Sequence, residues 1–112
     1  MLFDGGRWRS ALNRIYYSMF YAVSALSNAH GFNTSKHSTL QGWFNKNIVH
    51  SGKIALDIGI LYREIFDLRS KGDYDDFIKI RLDVVKRYLD AAKLFIDAVR
   101  RLTLERLEEN KS

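Results

Sequence analysis

The chain has 112 residues, no cysteine and no proline, with 46% hydrophobic and 28% charged residues. One globular domain fits that length and composition, and wholesale disorder does not. The missing cysteines exclude disulfides, thiolate chemistry and cysteine-ligated zinc, while a formal net charge of +5 favours anionic partners, nucleic acid first.

No run of 18 apolar residues occurs, so no membrane span is expected. Met1 to Arg9 lacks the apolar core of a signal peptide. The expected location is therefore cytoplasmic. The three histidines are scattered, without the i, i+4 spacing of a helical metal site, and neither a metal nor a cofactor is expected.

With no proline, glycine punctuates the chain. Gly5 and Gly6 precede the first periodic run, and Gly31, Gly52 and Gly72 each follow one. A glycine just past a helix end takes the left-handed conformation without a Cβ penalty. These stops predict four helices and no strands: an all-α, up-and-down antiparallel bundle in one domain spanning residues 1–112.

The first helix is expected from Arg7 to His30. Trp8, Leu12, Ile15, Met19, Val23 and Leu26 recur at steps of three and four. Tyr16, Tyr17, Phe20 and Tyr21 add aromatics around much of the circumference. A helix apolar nearly all round is buried on more than one side, so a second copy of the chain is expected to cover part of this surface.

The second helix is expected from Ser35 to Ser51, capped by Thr34 or Ser35, with Leu40, Phe44 and Ile48 as its stripe. The third runs from Ala55 to Lys71, with Asp57 suited to its first turn. The fourth runs from Asp75 to Glu109, capped by Asp75 or Asp76. At about 1.5 Å per residue it reaches roughly 45 Å. Its charged end is expected to fray or project from about residue 104. Strict alternation of direction would bring the loop Gly31–Lys36 and the turn Gly72–Asp75 to one end of the bundle. The turn at Gly52, with His50, would lie at the other.

Four stretches in order carry a resemblance. They are Ser10-Ala-Leu-Asn-Arg-Ile-Tyr-Tyr-Ser-Met-Phe-Tyr-Ala22, Lys36-His-Ser-Thr-Leu40, Phe44-Asn-Lys-Asn-Ile-Val49 and Leu68-Arg-Ser-Lys-Gly-Asp-Tyr74. Together they resemble the HEPN domain family over roughly Gly5 to Ala98. The resemblance implies a homodimer with a cleft at its two-fold axis, RNA as target, and a minimal nucleotidyltransferase as partner in a toxin–antitoxin module. It also implies that the partner can modify a tyrosine beside the arginine motif, which here is Tyr74.

Two departures from the family pattern stand out. Only about six residues precede the Tyr-Tyr helix, where family members carry a further helix. The ribonuclease motif of the family, arginine then four to six residues then histidine, is incomplete. No arginine here has a histidine at that spacing, and Arg69 meets Tyr74, Asp75 and Asp76 instead.

Metal-independent RNA cleavage needs a base for the 2′-hydroxyl and a cation for the phosphorane. Arginine suits the second role and histidine the first. Arg69 is thus the candidate phosphate ligand, with Asp73 holding it or capping the fourth helix. Tyr74, a poor base at its usual pKa, is suited to stacking or hydrogen bonding.

His37, or His30, would supply the missing imidazole from another helix or subunit if the alternation holds. The competing reading makes His37 a cap or surface group in the first turn of its helix. Asn13, Arg14, Tyr17, Lys36 and Lys71 are the candidate nucleotide- or RNA-binding residues. The alternative function is a non-catalytic helical module that binds a nucleotide or the nucleotidyltransferase and cuts nothing.

Overall fold

The computed structural model describes residues 5–71 and 82–111, with side chains from residue 10 to 68 and 85 to 111. Four α-helices appear: α1 Gly5–Ala29, α2 His37–Phe44, α3 Leu56–Lys71 and α4 Leu82–Asn110. A single π-helical turn, Asn45–Val49, continues α2. The described residues contain no strand. No described helix is long and apolar enough to cross a membrane.

Two of the predicted glycine stops can be checked. Gly31 has φ 83° and Gly52 has φ 77°. Behind Gly31, its own N–H donates to Asn28 O at 2.9 Å and the Phe32 N–H donates to Ser27 O at 2.8 Å. Behind Gly52, its N–H donates to Val49 O at 3.1 Å and Lys53 N–H donates to Ile48 O at 3.0 Å. Both patterns are the paired closure of a Schellman motif, which satisfies the last carbonyls and requires the left-handed residue. Gly72 and the expected caps Asp75 and Asp76 lie outside the described residues.

The apolar stripes meet in one core. Tyr16, Met19, Val23 and Leu26 of α1 face Leu40, Phe44 and Ile48, Tyr62 and Ile65 of α3, and Phe95 and Val99 of α4, all fully buried. Each large apolar side chain removed from water contributes about 1.5–3 kcal/mol. The aromatic surface expected to need a second copy is mostly covered within the chain. Tyr16 and Phe20 are buried and Tyr17 half-buried, while Tyr21 alone of the four stays 66% exposed.

The helix directions refine the alternating picture. α3 starts beside the C-terminal end of α1, where Lys53 faces His30. It then descends past Tyr16 with Tyr62 and Phe66. α4 climbs alongside α1 in the same sense. Val85 sits near Ile15, Ile96 near Ala22, and Asn110 Nδ2 donates to Ala29 O at 2.9 Å.

The long helices therefore run up, down and up, as α1, α3 and α4. The loop after Gly31 doubles back along α1, and α2 with its π-turn rises again toward the His30 end. Gly31, Gly52 and the end of α4 thus share one end of the bundle, which corrects the expected placement of the turns. α4 stays helical to Asn110, one residue past the expected end at Glu109.

Candidate functional site around Tyr16 and His37

The loop from Gly31 to Lys36 determines where His37 falls. The Lys36 N–H donates to Thr34 Oγ1 at 3.1 Å. Thr34 closes this turn rather than capping the helix. The N-cap position is held by Lys36, without a side-chain cap bond. α2 starts at His37 rather than Ser35, which leaves His37 in the first turn as expected, but its ring is not a surface cap. It lies face to face on Phe20, with centroids 4.1 Å apart and planes 14° apart.

Tyr16 and Phe20 stand one turn apart on α1, so both can reach the same imidazole. The Tyr16 hydroxyl and His37 Nδ1 share a 2.6 Å hydrogen bond. The hydroxyl donates to Nδ1 when the ring proton sits on Nε2, and accepts from Nδ1–H when it does not. Tyr17 meets His37 edge-on at 5.7 Å. On its other side Tyr16 stacks on Tyr62 at 6.1 Å and 9°, and meets Phe66 at 5.9 Å. Phe66 lies on α3 one turn before Arg69. The aromatic cluster thus joins the His37 ring to the helix that ends in the arginine motif.

Tyr62 carries the anomaly of this cluster. Its hydroxyl is buried, with no partner of good hydrogen-bond geometry among the described residues. Burial, reinforced by the neighbouring Tyr16 hydroxyl, pushes its pKa well above the usual tyrosine value. Tyr62 therefore stays neutral at any physiological pH.

The remaining candidates are spread out. Asn13, Arg14 and Lys36 are exposed and Tyr17 is half-buried. Arg14 faces α4 and lines a groove with Leu89 and Lys93, away from His37. Arg69 and Lys71 belong to the last turn of α3, and their side chains lie outside the described residues, as do Asp73 and Tyr74 entirely.

His30 does not serve the same site. It touches Trp43, with centroids 5.6 Å apart, at the Gly52 end. Burial, with help from the Arg106 and Lys53 charges, holds its pKa below the usual histidine value. No group of three or more acidic or histidine side chains among the described residues could hold a metal ion. The Tyr16–His37 pair has no sequence signature, because its members lie 21 positions apart on different helices.

An α1 built around Tyr-Tyr, with a histidine stacked beside it and an arginine ending α3, agrees with a match between residues 1–102 and the HEPN domain model. The chain belongs to the HEPN family. Among HEPN-like relatives, a "UPF0332 protein" of Thermotoga maritima is 39% identical over 102 residues, covering 91% of this chain and 77% of its own length.

Two proteins of Methanocaldococcus jannaschii bear the name "Putative toxin". MJ0142 is 32% identical over 80 residues, covering 71% of this chain and 54% of its own length. MJ0605 is 31% identical over 74 residues, covering 66% of this chain and 55% of its own. This HEPN chain therefore spans about half of each toxin-named relative. No solved structure matches it.

Proposed function

We propose that this HEPN chain is the RNA-directed component of a toxin–antitoxin pair, with a minimal nucleotidyltransferase as its partner protein. The relatives named as toxins support the paired system. The observation that carries the chemistry is the His37 imidazole, held by Tyr16 beside the helix that ends in Arg69.

In this mechanism Nδ1–H donates to the Tyr16 oxygen, as it does to carboxylates and carbonyls in catalytic histidines elsewhere. Nε2 is then bare and takes the 2′-hydroxyl proton as that oxygen attacks phosphorus, while the 5′-oxygen leaves with a proton from solvent. The Arg69 guanidinium steadies the phosphorane, a role suited to its planar fork and permanent charge. Asp73 positions Arg69. Tyr74 stacks on a base and is the acceptor for modification by the partner. Two chains associate through α3, where Leu56 and Ile60 are exposed.

The test is cleavage of a labelled RNA pool by the wild type, Arg69→Ala and His37→Gln, with thermal melts alongside. Loss of cleavage in both variants, with each still melting cooperatively above the assay temperature, supports the reading. Equal rates in all three remove both residues from catalysis. A second reading, a binding module that cuts nothing, is favoured by Tyr74 standing where the family motif has histidine. RNA or nucleotide binding without turnover by the wild type would select it.

A further inference from the structure

α1 and α4 run side by side in the same sense, and the seam between them is hollow. Two adjoining hollows of about 350 and 380 Å³ share Ser18 and Ile96, so they form one groove. It extends along α4 from Val85 to Leu104, about 29 Å at 1.5 Å per residue. Ala22, Ala25 and Ala92 keep it shallow-walled and open.

Its walls carry exposed apolar side chains. Tyr21 is 66%, Leu104 58% and Leu89 43% exposed. A contiguous apolar strip of this kind on one chain marks a contact surface. A trough between two helices, lined by small residues and rimmed by larger ones, has the shape that accepts the ridge of a third helix.

Charge selects the occupant. The charged groups lining the groove are Arg14, Lys93 and Arg100, and no acid lines it among the described residues. A second copy docking symmetrically would set these cations against themselves, and like charges across an interface disfavour it. Single-stranded RNA would want stacking platforms between its cations, and the groove offers one aromatic ring, Tyr21, among aliphatic walls.

We propose that the α1–α4 groove binds an acidic amphipathic helix from a different protein. About 19 residues of that helix lie in the trough. Its apolar stripe faces Ile96 and Ala22, and its glutamates or aspartates meet Arg14, Lys93 and Arg100. This contact does not require that the chain cleave RNA.

The test uses two synthetic 19-residue peptides with leucines at helical spacing, one flanked by glutamates and one by lysines. Binding to the whole chain is read by fluorescence anisotropy. The expected result is at least tenfold tighter binding of the acidic peptide, weakening as salt is raised. The double variant Lys93→Glu, Arg100→Glu should then prefer the basic peptide. Ala25→Trp, which fills the trough from an exposed position, should abolish binding of either, with circular dichroism unchanged.

Absence of saturable binding overturns the proposal, as does equal affinity for both peptides or an unaltered preference in the charge-reversed variant. Light scattering showing a dimer that Ala25→Trp dissolves would assign the groove to a second copy. Displacement of the acidic peptide by a labelled single-stranded RNA would assign it to nucleic acid.

Discussion

Tyr16 and His37 meet face to face, with ring planes 19° apart, and are tied by a 2.6 Å hydrogen bond between Oη and Nδ1. Neither helix could orient the imidazole alone. The bond gives it one orientation, while the Phe20 stack holds the ring's plane.

Replacing Tyr16 by phenylalanine keeps the packing and removes the bond. The expected cost is about 1 kcal/mol, the usual net worth of such a bond. Urea denaturation should register that loss, and the His37 ring signals in an NMR spectrum should shift as the tautomer loses its partner. Unchanged stability together with unchanged ring signals would show that the bond does not order His37.

Tyr62→Phe is expected to behave in the opposite way. Its buried hydroxyl lacks a well-formed hydrogen bond, so removing it sheds a desolvated polar group at little loss of contact. Stability at pH 7 should be unchanged or higher by up to about 1 kcal/mol. The folded-state pKa is raised. Stability is therefore fully present below the unfolded tyrosine value near 10 and lost as pH rises above it. Melting temperatures from pH 8 to 11 should fall less steeply in the variant than in the wild type.

His30 gives an acid-side prediction. Its folded-state pKa is lowered by burial and by the Arg106 and Lys53 charges. The unfolded chain then binds the proton more readily, so stability is full above about pH 6.5 and declines as pH falls from there toward the folded value. His30→Gln should flatten that part of a melting-temperature profile. An identical acid slope in the variant would assign the loss to other groups.

Gly59 sits inside α3, where alanine would ordinarily stabilise a helix by about 1 kcal/mol. Here a Cβ would lie 2.7 Å from Val49 Cγ2 and 3.1 Å from Cγ1. Valine is stiff at χ1 and cannot swing aside cheaply. Gly59→Ala is expected to destabilise, and Gly59→Ala with Val49→Ala to recover part of the loss. A gain in stability from Gly59→Ala alone, measured by thermal melting, would show that the π-turn gives way.

The helices were legible because their signals are local. The stripe from Leu12 to Leu26 and the glycines at 31 and 52 need only neighbouring residues to act. The wider surroundings were not. Thr34 is a good capping residue that spends its oxygen on the turn instead. His37 looked like a surface group because nothing near it in the chain reveals that Phe20 waits opposite. The doubling back of the loop before α2 reversed the expected order of the turns, and with it the neighbours of His30. Such outcomes depend on contacts between distant segments, which periodicity does not encode.

The pairing of α1 with α4 also bears on the order of events in folding. Asn110 bonds to Ala29 across 81 positions, and the seam between these helices extends down to Ile15 and Val85. Contacts so distant in sequence slow folding relative to bundles built from neighbouring hairpins. During synthesis, α1 through α3 emerge before the helix that completes their core, leaving Met19, Val23 and Leu26 without the cover of Phe95 and Val99. The complete core therefore forms only after α4 has left the ribosome, and until then the nascent chain presents an apolar surface for chaperones to hold.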